Sequence, residues 1–389
     1  MEDLTSIAAA IDRGDYTQAL SRLQVFCQAN PEDPWGKFYR GRLQEARHHL
    51  REAETIYIQV LKQTTQVKLI NLARQGIQRV QAQEKEEHQQ AIETALAEDG
   101  QQEISCLVLE PLDNAQKVQV MGEFGRLMHL DPYTARLHLP SRIWRLYRTG
   151  PLGELTVYQQ ALARIGVPAF CIALSTIESV RILPIHSLDI TEGQLVIQIQ
   201  NSQESSSQES SFQKPNFQKQ INKIILDPSE ICQWVEGLLP LFEQVVDQGP
   251  WRKVIHKEKI QDYAHLIDFH CPERGIILRL FDRNYEFLSH PQSKSKSAKL
   301  SPKTPLENRT HHQRWRRLIN SLTEFLPHLS KRSAFQRFAE AAFDQDLFLQ
   351  RITPHIDLLR QEDSPWDPAF HLYSVLHWVS RNGEPQNQY

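Results

Sequence analysis

The stretch from Ile104 to Leu174 constrains this chain most, because its order of signals admits few folds. Ile104-Ser-Cys-Leu-Val-Leu109 is a short apolar run closed by Pro111, which suits a buried strand. Asp113 or Asn114 then offers a side-chain oxygen to the orphan N–H groups of a following helix. In that helix Val118, Met121, Phe124, Gly125 and Met128 recur at three- and four-residue spacing and make one apolar face. Asp131-Pro132 opens a second helix, with proline at the position where its missing N–H costs nothing, and Pro140 stops it after Leu139. Ile143, Trp144, Leu146 and Tyr147 predict a second strand, ending at Thr149-Gly150. Pro151 to Ile165 predicts a third helix with Leu155, Tyr158, Leu162 and Ile165 inward, closed by Gly166, and Ala169 to Leu174 predicts the third strand. The expected unit at 104–174 is a small two-layer βααβαβ module.

That order resembles the C-terminal domain of the bacterial ribosomal stalk protein and the Clp protease adaptor that shares its fold. The residues carrying the likeness are Leu130-Asp131 with Ala135-Arg136, Gly150-Pro151 with Glu154, and Leu162 with Ile165-Gly166. Most are core and turn positions, so the resemblance speaks first to fold. Both relatives bind proteins and neither is an enzyme, so it implies a protein-binding role. The stalk domain's binding face is lysine-rich, whereas here Arg126, Arg136, Arg142, Arg145 and Arg148 supply the basic character. These arginines read either as a solvated or internally paired set, or as a docking face for an acidic partner with Arg136 and Arg145 among its contacts.

Residues 1–95 predict an all-helical arm. Gly14-Asp15-Tyr16 precedes Ala19, Leu23 and Phe26, and Ala53 and Tyr57 follow Ala19 and Leu23 after a 34-residue interval. Gly41 sits where two helices need a small residue to approach. The expected helices are Tyr16 to Gln28, Pro34 to Arg47, Leu50 to Lys62 and Val67 to Ala82. This period resembles the tetratricopeptide repeat, and the whole layout resembles uncharacterised bacterial tetratricopeptide proteins, cyanobacterial ones in particular. The resemblance implies a concave groove formed by the first helix of each pair. Lys37, Arg40 and Gln44 lie at helical spacing on one such helix and are the candidate contacts to a carboxylate-rich ligand. From Glu84 to Glu103 the chain carries seven acids and one lysine, which predicts a solvated helix ending in a loop at Asp99-Gly100.

Beyond Leu174 the pattern predicts a small α+β domain at 177–290. Val180 to Leu183, Gln194 to Gln200, Ile221 to Leu226, Tyr263 to Phe269 and Ile276 to Phe281 read as strands. A serine- and glutamine-rich loop at 202–211 cannot bury a core. Ile231, Val235, Leu238, Leu239 and Phe242 predict a helix opened by Asp227-Pro228. Residues 291–312 read as a basic flexible linker, and 313–389 as a helical tail whose apolar positions continue through Ile352, Ile356 and Leu359.

Composition limits the function. Hydrophobic residues make up 40% of 389 positions, and the net charge is −3, too small to mark a nucleic-acid binder. No apolar run approaches the roughly 20 residues that a membrane span needs, and the acidic Met1-Glu-Asp-Leu-Thr start lacks a signal peptide's basic region, which predicts a cytoplasmic chain. Five scattered cysteines without a CxxC pair exclude a zinc ribbon and a disulfide framework, and Cys106 and Cys171 are expected near each other as thiols. GxxxxGK[ST], GxSxG, HExxH and GxGxxG do not occur.

The sequence therefore predicts a multidomain α+β protein, cytoplasmic and non-enzymatic, acting as an interaction scaffold or adaptor for a protein partner, without cofactor or metal. Two alternatives stand beside it. One is a metal-dependent enzyme with its site in 177–290, around Asp268 and His270. The other is a binder of anionic polymers or membrane surfaces through the basic linker.

Overall fold

The structure is a computed structural model that describes residues 2–200, 221–248, 254–287, 310–358 and 363–382. The serine-rich loop and nearly all of the basic linker lie outside the described residues. The chain divides into two units, Met1–Gln101 and Gln102–Tyr389.

The first unit is five helices: α1 (Glu2–Asp12), α2 (Tyr16–Ala29), α3 (Pro34–Ala46), α4 (Leu50–Gln63) and α5 (Val67–Leu96). Their starts are set locally. Asp15 accepts from the Gln18 N–H at 3.0 Å, and Asp33 accepts from the Trp35 N–H ahead of a proline at the first helical turn. Glu84, Glu86, Glu87 and Glu93 of the acidic stretch lie on the second half of α5, and a turn at Asp99-Gly100 comes after the helix. Tyr57 of α4 organises the packing of this unit. Its ring is fully buried between the backbones of α3 and α5. A Cβ added at Gly41 would lie 2.8 Å from one ring edge, and one added at Gly76 would lie 2.5 Å from the other. The Tyr57 hydroxyl donates to Glu45 at 2.5 Å, and Glu45 also accepts from Arg79 at 2.7 and 3.0 Å. Burial, and then the Glu45 carboxylate, push the phenol far above its ordinary pKa, so it stays a donor.

The second unit begins with β1 (Ile104–Leu109), α6 (Asn114–Leu127), α7 (Pro132–His138), β2 (Arg145–Pro151), α8 (Leu152–Arg164), β3 (Ala169–Ala173) and α9 (Leu174–Ser179). The strands make an antiparallel sheet of order β2-β1-β3. Strand β1 is apolar throughout because both of its faces are covered. Leu107 and Leu109 join a core with Phe124, Leu155 and Leu162, while Cys106 and Val108 join a different core on the far side. Cys106 and Cys171 lie on neighbouring strands, but Cys171 pairs with Leu107, one residue out of step. The two thiols therefore enter different cores. Burial raises both pKa values, that of Cys171 to about 12.

The unit continues into a seven-stranded sheet. It contains β4 (Arg181–Thr191), β5 (Gln194–Gln200), β6 (Ile221–Leu226), β7 (Gln233–Gln248), β8 (Val254–Cys271), β9 (Ile276–Phe281) and β10 (Lys331–Arg332). The order is β10-β7-β8-β9-β4-β5-β6, with β4–β9 and β10–β7 parallel. Helix α10 (His311–Phe325) covers one face through Trp315 and Leu322 against Trp234, Phe269 and Leu278. The other face is covered by α11 (Phe335–Ala342), α12 (Asp346–Leu349) and α13 (Trp366–Asn382). The same core takes in Cys106, Val108, Leu146 and Ile172 from the three-stranded sheet. The segments expected as separate module, α+β domain and tail thus share one apolar interior. Arg145 of β2 pairs with Asp344 at 3.2 Å, and the Thr149 hydroxyl donates to Gln345 at 2.9 Å.

Two local expectations are corrected. In the segment from Ile231 to Phe242, the residues from Gln233 on are strand β7 rather than a helix, paired with β8. Pro240 could not continue a helix interior. Gly237 is held flat against the rings of Phe335 and Phe370, where a Cβ would come within 2.6 and 2.7 Å. Apolar residues also stand on both faces, with Val235 and Leu239 in one core, Trp234 in the other, and Leu238 and Phe242 exposed, so the alternation that marks a strand is lost and the spacings imitate a helix. In the tail, Ile352 is buried but residues 350–358 contain no helix, and Leu359 lies outside the described residues.

The Tyr57 packing predicts opposite signs for two glycine replacements. Gly76→Ala gains about 1 kcal/mol of helix propensity but forces a ring with no room to retreat, at a cost of about 1–3 kcal/mol. It should lower the melting temperature of the helical unit. Gly122→Ala, on exposed α6 with nothing within 4 Å of the added atom, should raise stability by about 0.5–1 kcal/mol. Thermal unfolding followed by circular dichroism checks both. Matching signs would show that ring confinement does not govern Gly76.

Candidate functional site

The helical unit contains a cavity of about 510 Å³ between α1, α3 and α5. Its wall is built from one helical stripe. Trp35, Tyr39, Arg42 and Ala46 recur at three and four residues along α3 and face the same way. Ile11 and Asp12 close one side, and Lys68, Leu72 and Arg79 of α5 close the other. The rings of Trp35 and Tyr39 are stacked with centroids 6.2 Å apart, and the Lys68 ammonium lies 6.0 Å from the Trp35 ring.

The charges of this cavity are mostly answered from within. Arg42 pairs with Asp12 at 2.8 Å, and Arg79 pairs with Glu45 at 2.7 Å. Their partial exposure makes these pairs weak individually, but they fix where the guanidinium groups point. Lys68 stands over the aromatic stack. The arrangement offers an apolar, ring-lined floor with one ammonium at its edge, which suits an apolar side chain beside a carboxylate.

The residues expected to line a groove are placed elsewhere. Lys37 donates to Gln63 at 2.5 Å, and Gln44 donates to Glu52 at 2.5 Å, both on α4. Arg40 is exposed. The three are shifted by two residues from the Trp35–Tyr39–Arg42 stripe, and two residues are about 200° around a helix. They occupy the opposite side of α3. The signal that marks the cavity side is the aromatic pair at i and i+4, whereas Lys37 and Arg40 mark the other.

The arginines of the three-stranded module also separate. Arg145 is bound to Asp344 and donates to the Leu137 carbonyl at 3.3 Å. Arg148 pairs with Glu154 at 2.9 Å and lies 4.5 Å over the Tyr158 ring. Arg136 is exposed on α7. It stands near Lys117 of α6, whose pKa is lowered by burial and then by the Arg136 charge. Val118, Tyr133 and Leu137 on these two helices are 64%, 73% and 59% exposed. Of the predicted pair, only Arg136 belongs to an open surface.

Asp268 and His270 lie on the same face of β8, as their spacing requires, and both are buried. Asp268 receives Arg279 in a two-pronged pair at 2.8 and 2.7 Å, while Arg279 also donates to the Pro354 carbonyl at 2.5 Å. The His270 Nε2 lies 3.0 Å from the Ser374 hydroxyl. Cys271 points to the opposite core, where burial lifts its pKa to about 12. No group of three or more histidine, cysteine or acidic side chains that could hold a metal occurs among the described residues. No helix among them is long and apolar enough to cross a membrane.

No protein-family model, curated protein or solved structure gives a significant match to the chain.

A structural role for Asp268 has a measurable consequence. Asp268→Ala leaves a buried guanidinium without its counter-charge and should cost about 3–5 kcal/mol. Replacing both partners, Asp268→Leu with Arg279→Met, should cost clearly less. Urea unfolding of the three proteins checks this. An Asp268→Ala protein as stable as the parent would make Asp268 a candidate chemical group again.

Proposed function

We propose that this chain is a non-enzymatic interaction scaffold or adaptor that grips a protein partner through the α1–α3–α5 cavity of its helical arm. In this reading the arm is a short tetratricopeptide-like repeat array, and the stalk-like module supplies a second contact. The observation that carries the proposal is the ring-lined cavity with Lys68 at its edge. Its size and lining suit side chains of a peptide or helix, since aromatic and aliphatic anchors dominate such contacts. The two cavity arginines are occupied by Asp12 and Glu45, so the ligand is better described as apolar with a single carboxylate than as carboxylate-rich. The α6–α7 face, with Lys117 and Arg136 beside three exposed apolar side chains, has the chemistry to meet an acidic amphipathic segment. The buried pairing of Asp268 with Arg279 weighs against the alternative of a metal enzyme in that region.

The test is affinity capture from the native cell's extract with four proteins: the full chain, a chain lacking residues 1–95, Trp35→Ala with Lys68→Glu, and Lys37→Glu with Arg40→Glu. The proposal expects the cavity variant to weaken capture about 30-fold or more, the loss of roughly 2 kcal/mol typical of a central anchor. Deletion should abolish capture, and the variant on the opposite face of α3 should leave it within about twofold. Loss confined to Lys37→Glu with Arg40→Glu would place the contact on the other side of that helix. Capture kept by all four would remove the arm from the function. Thermal unfolding of each variant separates lost contact from lost fold.

A further inference from the structure

Strands β7 and β8 outrun the sheet they belong to. They are 16 and 18 residues long and pair with each other from Gln233 opposite His270 to Gln248 opposite Val254. Their outer neighbours are short. Strand β10 meets β7 only at Trp234 and Val235, and β9 meets β8 only from Leu266 to Cys271. Beyond Leu238 and its register partner His265, no third strand among the described residues flanks them. A two-stranded ribbon is marginal in water unless another layer packs on it.

Alternate residues of a strand share a face, and directly opposed residues point the same way. Leu238, Pro240 and Phe242 of β7 therefore share one face with His265, Tyr263 and Ile260 of β8, across one shift of register. This face continues the one that α10 covers, where Trp234, Ile267 and Phe269 meet Trp315 and Leu322. The cover reaches His265, whose Nδ1 accepts from the Trp315 indole at 2.9 Å. Past it the face opens: Leu238, Phe242, Ile260 and Tyr263 are 38%, 42%, 42% and 45% exposed. The opened stretch carries no charge. Glu243 and Lys259 oppose each other on the other face, and Asp262, opposite Leu241, is paired with Arg283.

We propose that this ribbon face is the contact to a second copy of the chain, the two ribbons packing face to face about a two-fold axis. Phe242 and Tyr263 are its anchors. Charge, edge chemistry and size together select a copy over another occupant. The face is uncharged, so it matches an identical uncharged face and offers nothing for an acidic or basic partner to read. Pro240 stands in its middle without an N–H, which hinders an extended peptide from adding at the β7 edge. The ribbon beyond α10 is about 30 Å long and 10 Å wide, and a second ribbon has the same outline. A face-to-face pair buries on the order of 1,000 Å² in total, the low end for a specific contact, which corresponds to a reversible dimer. Because α10 thickens the base of this face, the two ribbons run antiparallel, each tip toward the partner's α10.

Sedimentation equilibrium of the full-length protein between about 1 and 200 μM is the test. A monomer–dimer equilibrium is expected, between 45.2 kDa and twice that mass. Phe242→Lys with Ile260→Lys sets like charges against each other across the contact and should weaken dimerisation at least about 100-fold. Phe242→Ala, the milder variant if the double one does not fold, should weaken it about tenfold. Glu243→Lys with Lys259→Glu, on the opposite face, should leave it within about threefold. Thermal unfolding of each variant confirms its fold. The proposal is overturned by a monomer at every concentration, which would leave the face to another occupant. It is equally overturned by a dimer that the Phe242 variants leave at full strength, or by one that the Glu243 and Lys259 exchange weakens as much as they do.

Discussion

The larger unit depends on the buried pair between Asp268 and Arg279. A lone guanidinium in that interior would be prohibitively desolvated, so its position is acceptable only because Asp268 meets it with both oxygens. The remaining donors reach the Pro354 carbonyl, and the guanidinium lies 5.2 Å from the Phe370 ring of α13. One charged group thereby ties β8, β9, the 350–358 segment and α13 together. The pair also sets the electrostatics of its surroundings. Its carboxylate answers the guanidinium, and burial above all keeps the nearby His371 imidazole neutral.

Close contact between glycine and aromatic rings is the second organising device, used in both units. Tyr57 fits because Gly41 and Gly76 bring two helix backbones up to its ring. Phe335 and Phe370 fit because Gly237 leaves β7 bare beneath them. In each case the ring occupies the volume a Cβ would need, so the element spacing depends on a missing side chain. The consequence for the helical arm is the shape of its cavity. Tyr57 sets the approach of α3 to α5, and those helices carry Trp35, Tyr39 and Lys68 on the cavity wall.

Local signals are legible where the chain decides its own conformation. The aspartate caps at Asp113 and Asp131, the prolines at 34 and 132, and Gly166 mark element ends that the structure keeps. The order of strands and helices from Ile104 to Ala173 is legible for the same reason. Legibility fails where both faces of a strand carry apolar residues. Strand β7 has apolar residues toward α10 and toward α13, so its pattern loses the period of two and imitates a helix. The cavity lining is hidden for a related reason. Helix α3 carries Lys37 and Arg40 on one side and Trp35, Tyr39 and Arg42 on the other, and only the neighbouring helices reveal which side lines the cavity.

The sequence by itself determined the classes and ends of most elements, the mixed α+β character, and the separation of a helical arm from the rest of the chain. These depend on capping, proline and glycine geometry and local apolar spacing, all short-range effects. Tertiary structure alone decided that the module, the strand-rich segment and the tail share one interior, that Asp268 and Arg279 are a structural pair, and which side of α3 faces the cavity. Those outcomes rest on contacts between residues far apart in the chain, such as Arg145 with Asp344 and His270 with Ser374. Desolvation and packing act on groups that are near in space, and a linear pattern carries no record of that proximity.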